Sequence, residues 1–430
     1  MLYLLKQKNF GLFWWSNLIN VIGDHITMLA FPWIALQMTG DIGITATVLA
    51  IQGLPRAILM LLGGSITDRT TPKLIILLTN LVRGLLVLVL ALLTFADKAN
   101  LSHVFIVAAL FGIADAFYYP ASTSMVPSLL KESDRQSGNA LVQVTNQLAV
   151  FLGPMIAGLV IAGQIDTSHI DMATQVDGYH EDRLGLARAF LTDSATFLLS
   201  SLLLLLVKQL PKESPDTEEA KKSLLEQIME GIAFVWSVPA VRLCFIGIGL
   251  LEFAYHAPIF VGLPALAKGR YAEGALIFSW WISAYGIGGL LGGITAGVTK
   301  MPKSEHIARL LFIFFAWSSA TIALIALFDD YRLGLLFFAT GGFLDNYIWI
   351  HFMTWLQRLT PDHMMARVMS LLMFMAIGML PVAFMLMGWL LKVHLVGTMV
   401  TAGIAMVIFC AIAALHPDGK RVEPVSNGQE

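Results

Sequence analysis

Five acidic residues lie inside long apolar stretches of this chain, where charge is expensive. They are Asp24, Asp115, Asp193, Glu252 and Asp345. A carboxylate near the centre of a bilayer costs on the order of 3 kcal/mol or more, so each one requires a cationic partner, a proton or a water-filled cavity. Such groups could bind a polar or cationic part of a ligand, or hold a proton. We therefore take all five as candidates for substrate or proton binding.

Arg56 is a basic residue in a similar setting, inside the apolar run from 43 to 66. At ~1.5 Å per residue it lies about 18 Å from the charged end of that run. Asp24 lies at a comparable depth in the first run, so Asp24 and Arg56 could pair. Arg56 therefore joins the candidates for substrate or proton binding. The alternative is that this pair is purely structural, and that Asp115 and Asp345 cap loops at the inner ends of their helices.

Two histidines accompany these acids. His25 follows Asp24 directly, and His256 is one helical turn after Glu252. Because histidine titrates near neutral pH, either ring could relay protons; a hydrogen-bonded packing role is the alternative.

A polar loop follows the second apolar run, in the stretch GGSITDRTTPK. Gly64 allows a neighbouring backbone to approach closely. Asp68 can accept hydrogen bonds from free amides at the start of another helix, and Arg69 and Lys73 add positive charge. We expect Asp68 to dock near residues 367 to 370 and to release again, which makes this stretch a gating loop.

Small residues and a proline interrupt the apolar stretch FLGPMIAGLV. Gly153 and Gly158 permit close helix approach, while Pro154 removes an amide and bends the helix. This stretch is predicted to be a hinge or a tight seal, with ordinary small-residue packing as the alternative.

The composition is that of a polytopic membrane protein. Of the 430 residues 57% are hydrophobic and 13% are charged, and the mean hydropathy is +0.75, whereas soluble domains have ~25% charged residues. The net charge of −2 and the lack of a phosphate-binding loop argue against nucleic acid and ATP as ligands. The two cysteines are far apart in sequence, so neither a disulfide framework nor a metal site is predicted. We expect no cofactor.

Apolar runs long enough to cross a bilayer of ~30 Å recur along the whole chain. Twelve are predicted, near 10–36, 43–66, 74–95, 102–121, 139–163, 187–207, 241–266, 276–299, 306–327, 332–354, 367–391 and 394–415. The fold class is therefore an all-α polytopic membrane protein. With the N-terminus inside, 19 of the 27 lysines and arginines, Arg83 among them, fall on the inner side, which predicts that both termini are cytoplasmic.

The runs divide into two sets of six. Gly112 and Asp115 in the fourth run have counterparts in Gly342 and Asp345 of the tenth run, which indicates a weak internal repeat. Ser214 and Pro215 are a plausible start for an amphipathic helix between the sets, with a solvated tether as the alternative. The predicted domains are an N-terminal bundle, a cytoplasmic linker with that helix, a C-terminal bundle and a cytoplasmic tail, at 1–207, 208–240, 241–415 and 416–430.

Several of these stretches resemble known transporters. The GxxxDR pattern from Gly64 to Arg69 is similar to the loop between helices 2 and 3 of the major facilitator superfamily, and Gly153, Pro154 and Gly158 resemble its antiporter motif. The strings GDHITMLAFPW, DAFYYPA, TDSATFLLS, EGIAFVWSVPAVR and PDHMMARVMS resemble the branch of bacterial drug exporters that contains the macrolide efflux pumps and the enterobactin exporter. This resemblance implies two six-helix pseudo-repeats and a location in the bacterial inner membrane.

The function implied is export of an amphiphilic small molecule, drug-like or macrolide-like, by alternating access and exchange with protons. We expect a monomer surrounded by membrane lipids and no enzymatic activity. The alternatives are a siderophore exporter, a lysophospholipid transporter or flippase, and a membrane sensor that does not transport.

Overall fold

A computed structural model describes residues 2–162, 178–208, 224–361 and 364–420. Within these ranges it leaves undescribed the side chains of residues 2, 60–69, 132, 133, 136, 162, 178–182, 224–228, 366, 418 and 420. The described chain is helical almost throughout, and strands are absent from it.

Within the described ranges, twelve helices are long and apolar enough to cross a membrane, which confirms the predicted fold class. We number them α1 to α12 in chain order. They are Lys8–Thr39, Ile42–Arg69, Pro72–Phe95, Leu101–Thr123, Glu132–Ala162, Gly178–Leu205, Pro239–Arg270, Gly274–Val298, Ser304–Leu327, Tyr331–Leu359, Arg367–Val393 and Leu395–Leu415. Because successive helices reverse direction, the start of α1 and the end of α12 lie at one end of the described molecule, here called the terminal end, and the α1–α2 turn lies at the far end.

Two helices extend well beyond their apolar runs. α5 begins at Glu132 rather than near 139, and α6 begins at Gly178 rather than near 187. Backbone hydrogen bonds continue a helix wherever the chain tolerates it, whereas hydrophobicity marks only the part inside the lipid. The apolar runs therefore underestimate these two helices.

Two membrane helices contain π-helical turns. In α7 these are Glu252–His256 and Pro258–Gly262, and in α11 the turn is Phe374–Gly378. Pro258 and Pro381 have no amide hydrogen to donate to the preceding turn, which favours such local unwinding. π-turns within α-helices occur frequently at functional sites, and the first of these begins at Glu252.

The N-terminal six helices and the C-terminal six form two halves that contact each other mainly through α5 with α8 and α2 with α11. The α5–α8 contact depends on glycine: a Cβ at Gly286 would lie 2.7 Å from the backbone of Phe151. Only the absence of a side chain allows the two backbones this close approach.

Two lysines of the C-terminal half hold the α1–α2 turn at the far end. Lys392 Nζ donates to Asp41 Oδ2 at 2.6 Å, and Lys268 Nζ donates to the carbonyl of Leu36 at 3.2 Å. Asp41 also caps α2 by accepting from the amides of Gly43 and Ile44. Lys268 thus binds at the negative C-terminal end of α1, whereas Lys392 pairs with the carboxylate that caps the start of α2. We call this pair of contacts the far-end clasp.

Between the halves, a helix spans Leu224–Ser237, and its Glu230 carboxylate accepts a hydrogen bond from Arg367 at the start of α11. The helix start proposed at Ser214 and Pro215 lies outside the described residues.

Candidate functional site

A fully buried arginine, Arg83 of α3, is the centre of a polar network in the N-terminal half. Its Nη1 lies 2.8 Å from Asp24 Oδ1 and 3.0 Å from Asp115 Oδ1. Its Nη2 donates to Asn80 Oδ1 at 2.5 Å and to Asn20 Oδ1 at 3.3 Å. One planar guanidinium therefore joins α1, α3 and α4 near the middle of the membrane.

The prediction that Arg83 lies with the charges of the inner surface is wrong. Arg83 is well inside α3, and its side chain has no exposed surface. The sequence does indicate a buried position for Arg83, because this residue lies in the middle of the apolar run from 74 to 95, where a surface charge is not expected.

Arg56 completes the network from α2. Its Nη1 lies 3.0 Å from Asp115 Oδ2, so Asp115 bridges two arginines. The pairing of Asp24 with Arg56 that depth suggested is wrong, because Asp24 binds Arg83 instead. Asp115 is also not a loop cap, since it lies inside α4 and pairs with both guanidinium groups. Helix packing, rather than depth alone, decides which charges meet.

Aromatic rings surround the guanidinium of Arg83. Its Cζ lies 4.3 Å from the ring centroid of Tyr118, 4.5 Å from that of Phe197 and 5.5 Å from that of Phe111. Cation–π contacts of this kind stabilise a desolvated cation. The same rings also hold the guanidinium in one position.

Asp193 of α6 is fully buried against α1. It accepts hydrogen bonds from Thr27 and from Thr196, which lies in the same helix. Through these hydrogen bonds Asp193 contributes to the packing of α1 against α6. Within the described network it does not form an ion pair with an arginine.

In the C-terminal half, Glu252 lies at the first π-turn of α7 and is 98% buried. His256 Nδ1 lies 3.0 Å from Glu252 Oε2, yet neither atom has a well-aligned hydrogen-bond partner among the described residues. The hydroxyl of the buried Tyr255 is equally without a partner there. Buried polar atoms in this condition are rare and expensive, so they mark a site that could accept a ligand or a proton.

Asp345 lies on α10 and faces the same region. Its Oδ2 accepts a hydrogen bond from the hydroxyl of Tyr285 on α8. The next residue, Asn346, accepts from Gln147 of α5 at 2.8 Å, so this face of α10 borders the N-terminal half. Asp345 therefore lies inside α10, next to a residue that contacts the other half, and the alternative that it caps a loop is also wrong.

The predicted hinge in α5 makes two close contacts. A Cβ at Gly153 would lie 2.4 Å from His25 Cβ on α1, and one at Gly158 would lie 1.9 Å from Ser279 Oγ on α8. Gly153 thus packs α5 within its own half, whereas Gly158 packs it against the other half. Pro154 is buried between them. His25 is positioned by this packing.

The predicted gating loop is described only in part. Gly64, Asp68 and Arg69 lie at the end of α2, and their side chains are outside the described set. Lys73 is described: its Nζ donates to the carbonyls of Leu205 and Val207 at 2.9 and 2.6 Å, which secures the end of α6. The docking of Asp68 on α11 thus stays a prediction.

An apolar groove of about 440 Å³ lies between α8, α9 and α10 on the membrane-facing surface, where Ile287, Leu291 and Trp317 line it. Its walls are apolar and its lining does not include the charged residues. The candidate site therefore consists of two separate clusters, one in each half: the Arg83 network, and the group formed by Glu252, His256 and Asp345.

Two bundles of six helices, each with ionisable groups near the middle of the membrane, are the arrangement of an alternating-access transporter. A family model described as Major Facilitator Superfamily matches residues 13–383. The chain belongs to this superfamily. Membership in this superfamily agrees with the resemblance of the loop after the second apolar run. Together with the twelve apolar helices, it shows that the protein is a multi-pass membrane transporter.

Curated relatives narrow the branch within the major facilitator superfamily. The multidrug efflux pump Tap of Mycolicibacterium fortuitum is 25% identical over 404 residues, covering 92% of each chain. The enterobactin exporter EntS of Escherichia coli O81 is 26% identical over 366 residues, covering 83% of this chain and 79% of the relative. The suspected branch is thereby confirmed.

Solved structures show the same fold. A POT family transporter in complex with 5-aminolevulinic acid has a TM-score of 0.70 at 13% identity, covering 94% of both chains. A bacterial homologue of the iron transporter ferroportin in an inward-facing state has a TM-score of 0.68 at 14% identity, covering 95% and 99%.

Proposed function

We propose that this protein exports an amphiphilic small molecule by alternating access, in exchange for protons. The observation that carries the proposal is the presence of buried carboxylates at the middle of both halves, in the Arg83 network and around Glu252 and Asp345. Ionisable groups at this depth are characteristic of substrate and proton pathways.

The two clusters have different chemistry. In the Arg83 network, Asp24 and Asp115 are each compensated by an arginine. In the second cluster, Glu252 Oε2, His256 Nδ1 and the Tyr255 hydroxyl lack well-aligned hydrogen-bond partners within the described structure. A group whose interactions are incomplete gains more from a new ligand or proton than one already saturated. Glu252, with His256 beside it, is therefore our first candidate for the proton carrier, and Asp24 is the second.

The contacts between halves support a direction of access. The far-end clasp and the packing at Gly158 both lie toward the end that holds the α1–α2 turn. The excess of Lys and Arg on the terminal side supports cytoplasmic termini. With that orientation the site is shut toward the outside, and the next step of the cycle is to separate these contacts.

The names of the relatives support export of small molecules. Tap is named as a multidrug efflux pump and EntS as an enterobactin exporter, so a drug-like amphiphile is the first candidate substrate and a siderophore the second. A lysophospholipid remains a third class. We further propose a monomer in the bacterial inner membrane, without enzymatic activity, whose rocking units are residues 1–207 and 241–415.

Reconstitution tests the proposal. Purified protein in liposomes that hold a pH-sensitive dye is given lipophilic cations, macrolides, catecholate siderophores and lysolipids in turn. We expect proton movement that depends on one class of substrate. Substrate flux without proton movement would replace antiport by facilitated diffusion or lipid flipping, and ligand binding without any flux would make the protein a sensor.

A further inference from the structure

Two apolar grooves adjoin on the membrane-facing surface of the C-terminal half. The first is the groove of about 440 Å³ between α8, α9 and α10, and the second, of about 390 Å³, lies between α9, α10 and α12. Trp317 and Leu344 line both grooves, so the two meet at these side chains. The described lining of each groove is free of charged residues, which suits a hydrocarbon chain.

Trp317 is fixed at the boundary between the two grooves. Its indole Nε1 donates a hydrogen bond to Thr340 Oγ1 on α10 at 3.1 Å. The side chain is 38% exposed. Since its polar atom is paired, the rest of the indole presents apolar surface to whatever lies in the grooves.

An exposed apolar strip on α8 leads from the first groove to the terminal end. Leu291 lines the groove, and Ile294 and Val298 follow it at helical spacing, so the three share one face of α8. They are 53%, 57% and 80% exposed. At ~1.5 Å per residue the strip is about 10 Å long. The groove and the strip together therefore match the acyl chains of one leaflet, which cover half of a core of ~30 Å.

Two lysines lie where this strip ends, in the turn between α8 and α9. Lys300 and Lys303 are exposed, and neither side chain has a hydrogen-bond or ion-pair partner among the described residues. Trp355 Nε1 donates to Ser304 Oγ at 2.7 Å, which holds this turn against the end of α10.

Positive charge prevails around this turn. The charged residues described from 299 to 310 are Lys300, Lys303, Glu305 and Arg309. Basic groups between membrane helices at the depth of the lipid headgroups attract anionic lipids. The turn therefore supplies a headgroup site at the same end of the grooves as the exposed strip.

We propose that this face binds one anionic diacyl phospholipid. Its two chains occupy the two grooves on either side of Trp317, and its phosphate lies between Lys300 and Lys303. A phospholipid carries two chains on one charged headgroup, as two adjoining grooves and one basic turn require. The lipid is a bound component of the C-terminal half rather than the exported substrate, so the proposal goes beyond the function proposed above.

Two lipids with identical chains test the headgroup site: dioleoyl phosphatidylglycerol, which is anionic, and dioleoyl phosphatidylcholine, which has no net charge. Each is titrated into purified protein in detergent, and native mass spectrometry counts the lipids retained. We expect one phosphatidylglycerol at concentrations where phosphatidylcholine is not retained. Lys300→Gln together with Lys303→Gln should weaken this binding by at least about tenfold, because both lysines attract the phosphate.

The matched control removes the same charge from the same end of the molecule. Lys8→Gln together with Lys131→Gln replaces two exposed lysines of the N-terminal half and should bind phosphatidylglycerol like the wild type. Thermal unfolding of both double variants checks that each is folded.

Phosphatidylglycerol with brominated chains tests the grooves, since bromine quenches the fluorescence of a tryptophan that it contacts. We expect saturable quenching that is largely lost in Trp317→Phe. Trp389→Phe, at an exposed position on α11, is the control and should keep it.

Equal retention of the two lipids, equal affinity of the two double variants, or unchanged quenching in Trp317→Phe would overturn the proposal. A dimer that retains no lipid would also overturn it and would assign the grooves to a second copy of the chain. None of these outcomes bears on export, which is tested by flux in liposomes.

Discussion

Arg83 shows how one residue can determine the arrangement of a membrane-embedded cluster. Its guanidinium contacts two carboxylates and two amide oxygens and lies against aromatic rings. A buried charge pair contributes little net stability when it is complete, but removing one partner leaves the other charge unpaired in a low dielectric. A substitution of Arg83 should therefore lower the stability strongly, and the size of the loss should depend on whether an unpaired carboxylate is left behind.

Arg83→Leu should destabilise the protein by about 3 to 5 kcal/mol, because Asp24 loses its arginine and Asp115 retains only Arg56. Thermal unfolding in detergent measures this. Arg358→Leu, at an exposed position at the end of α10, is the control, and its effect should stay within about 0.5 kcal/mol. An unchanged unfolding temperature for Arg83→Leu would contradict the network. The double variant Arg83→Leu, Asp24→Asn should be more stable than Arg83→Leu alone, since a neutral amide then replaces the unpaired carboxylate.

At the scale of helices, glycines allow the two halves to meet. Gly158 of α5 and Gly286 of α8 both lie where the α5–α8 contact leaves no room for a Cβ. Close contact of this kind can be broken and remade by rigid-body movement, because it depends on van der Waals packing rather than on a hydrogen-bonded network. The helix pair is thus suited to a seal that opens during transport.

Gly286→Ala should separate the halves at the far end, because its Cβ would lie 2.7 Å from the Phe151 backbone, which cannot rotate away. Spin labels on cysteines at positions 98 and 328, in a background without Cys244 and Cys410, report the distance by pulsed electron resonance. We expect a longer mean distance. Gly297→Ala in the same helix, with open space around the new Cβ, should leave the distance unchanged. Equal distances in both variants would rule out the α5–α8 contact as a seal.

The far-end clasp should not respond to pH in the physiological range. The hydrogen bond from Lys392 is the main cause that holds the pKa of Asp41 below its usual range near ~3.9. A lowered pKa means that the ion pair is present above that range and is lost only as the pH falls through it. Between pH 5 and 8 the same spin-label distance should therefore stay constant, whereas Lys392→Met should lengthen it throughout. A spin-label distance that changes between pH 5 and 8 would contradict this prediction and would indicate that a group titrating in that range takes part in the clasp.

At the scale of the whole molecule, transport requires that the two clusters face a region open to alternate sides. The Arg83 network is internally compensated, whereas the Glu252 cluster is not, so the two halves contribute unequally. We expect proton coupling to depend on the C-terminal half. The helix arrangement of the N-terminal half should depend on Arg83.

Glu252→Gln should abolish pH-driven transport in liposomes but preserve exchange of labelled for unlabelled substrate at equal pH, since exchange needs no net proton movement. Asp24→Asn should reduce both rates, because it loosens the Arg83 network as well. Rates of pH-driven transport that are unchanged in both variants would refute their assignment as proton or substrate residues. Glu305→Gln, at an exposed position in the first turn of α9, is the control and should leave both rates unchanged.

The membrane topology follows from the sequence because bilayer thickness imposes one length on every crossing segment. Apolar runs of about 20 residues therefore predicted all twelve helices. The candidate acids could be found in the same way, since a carboxylate in such a run is expensive wherever it lies. Even Arg83 was detectable by depth, although it was counted among the inner-surface charges.

The partners of those charges were decided only by the tertiary structure. Depth made Asp24 and Arg56 a plausible pair, but the rotation of α2, α3 and α4 about their axes directs Arg83 to Asp24 and Arg56 to Asp115. Rotation depends on how small and large side chains of neighbouring helices pack, as at Gly112, where a Cβ would lie 1.9 Å from the Gln52 carbonyl. Hydrophobicity defines how deep a residue lies in the membrane, and packing defines what it faces.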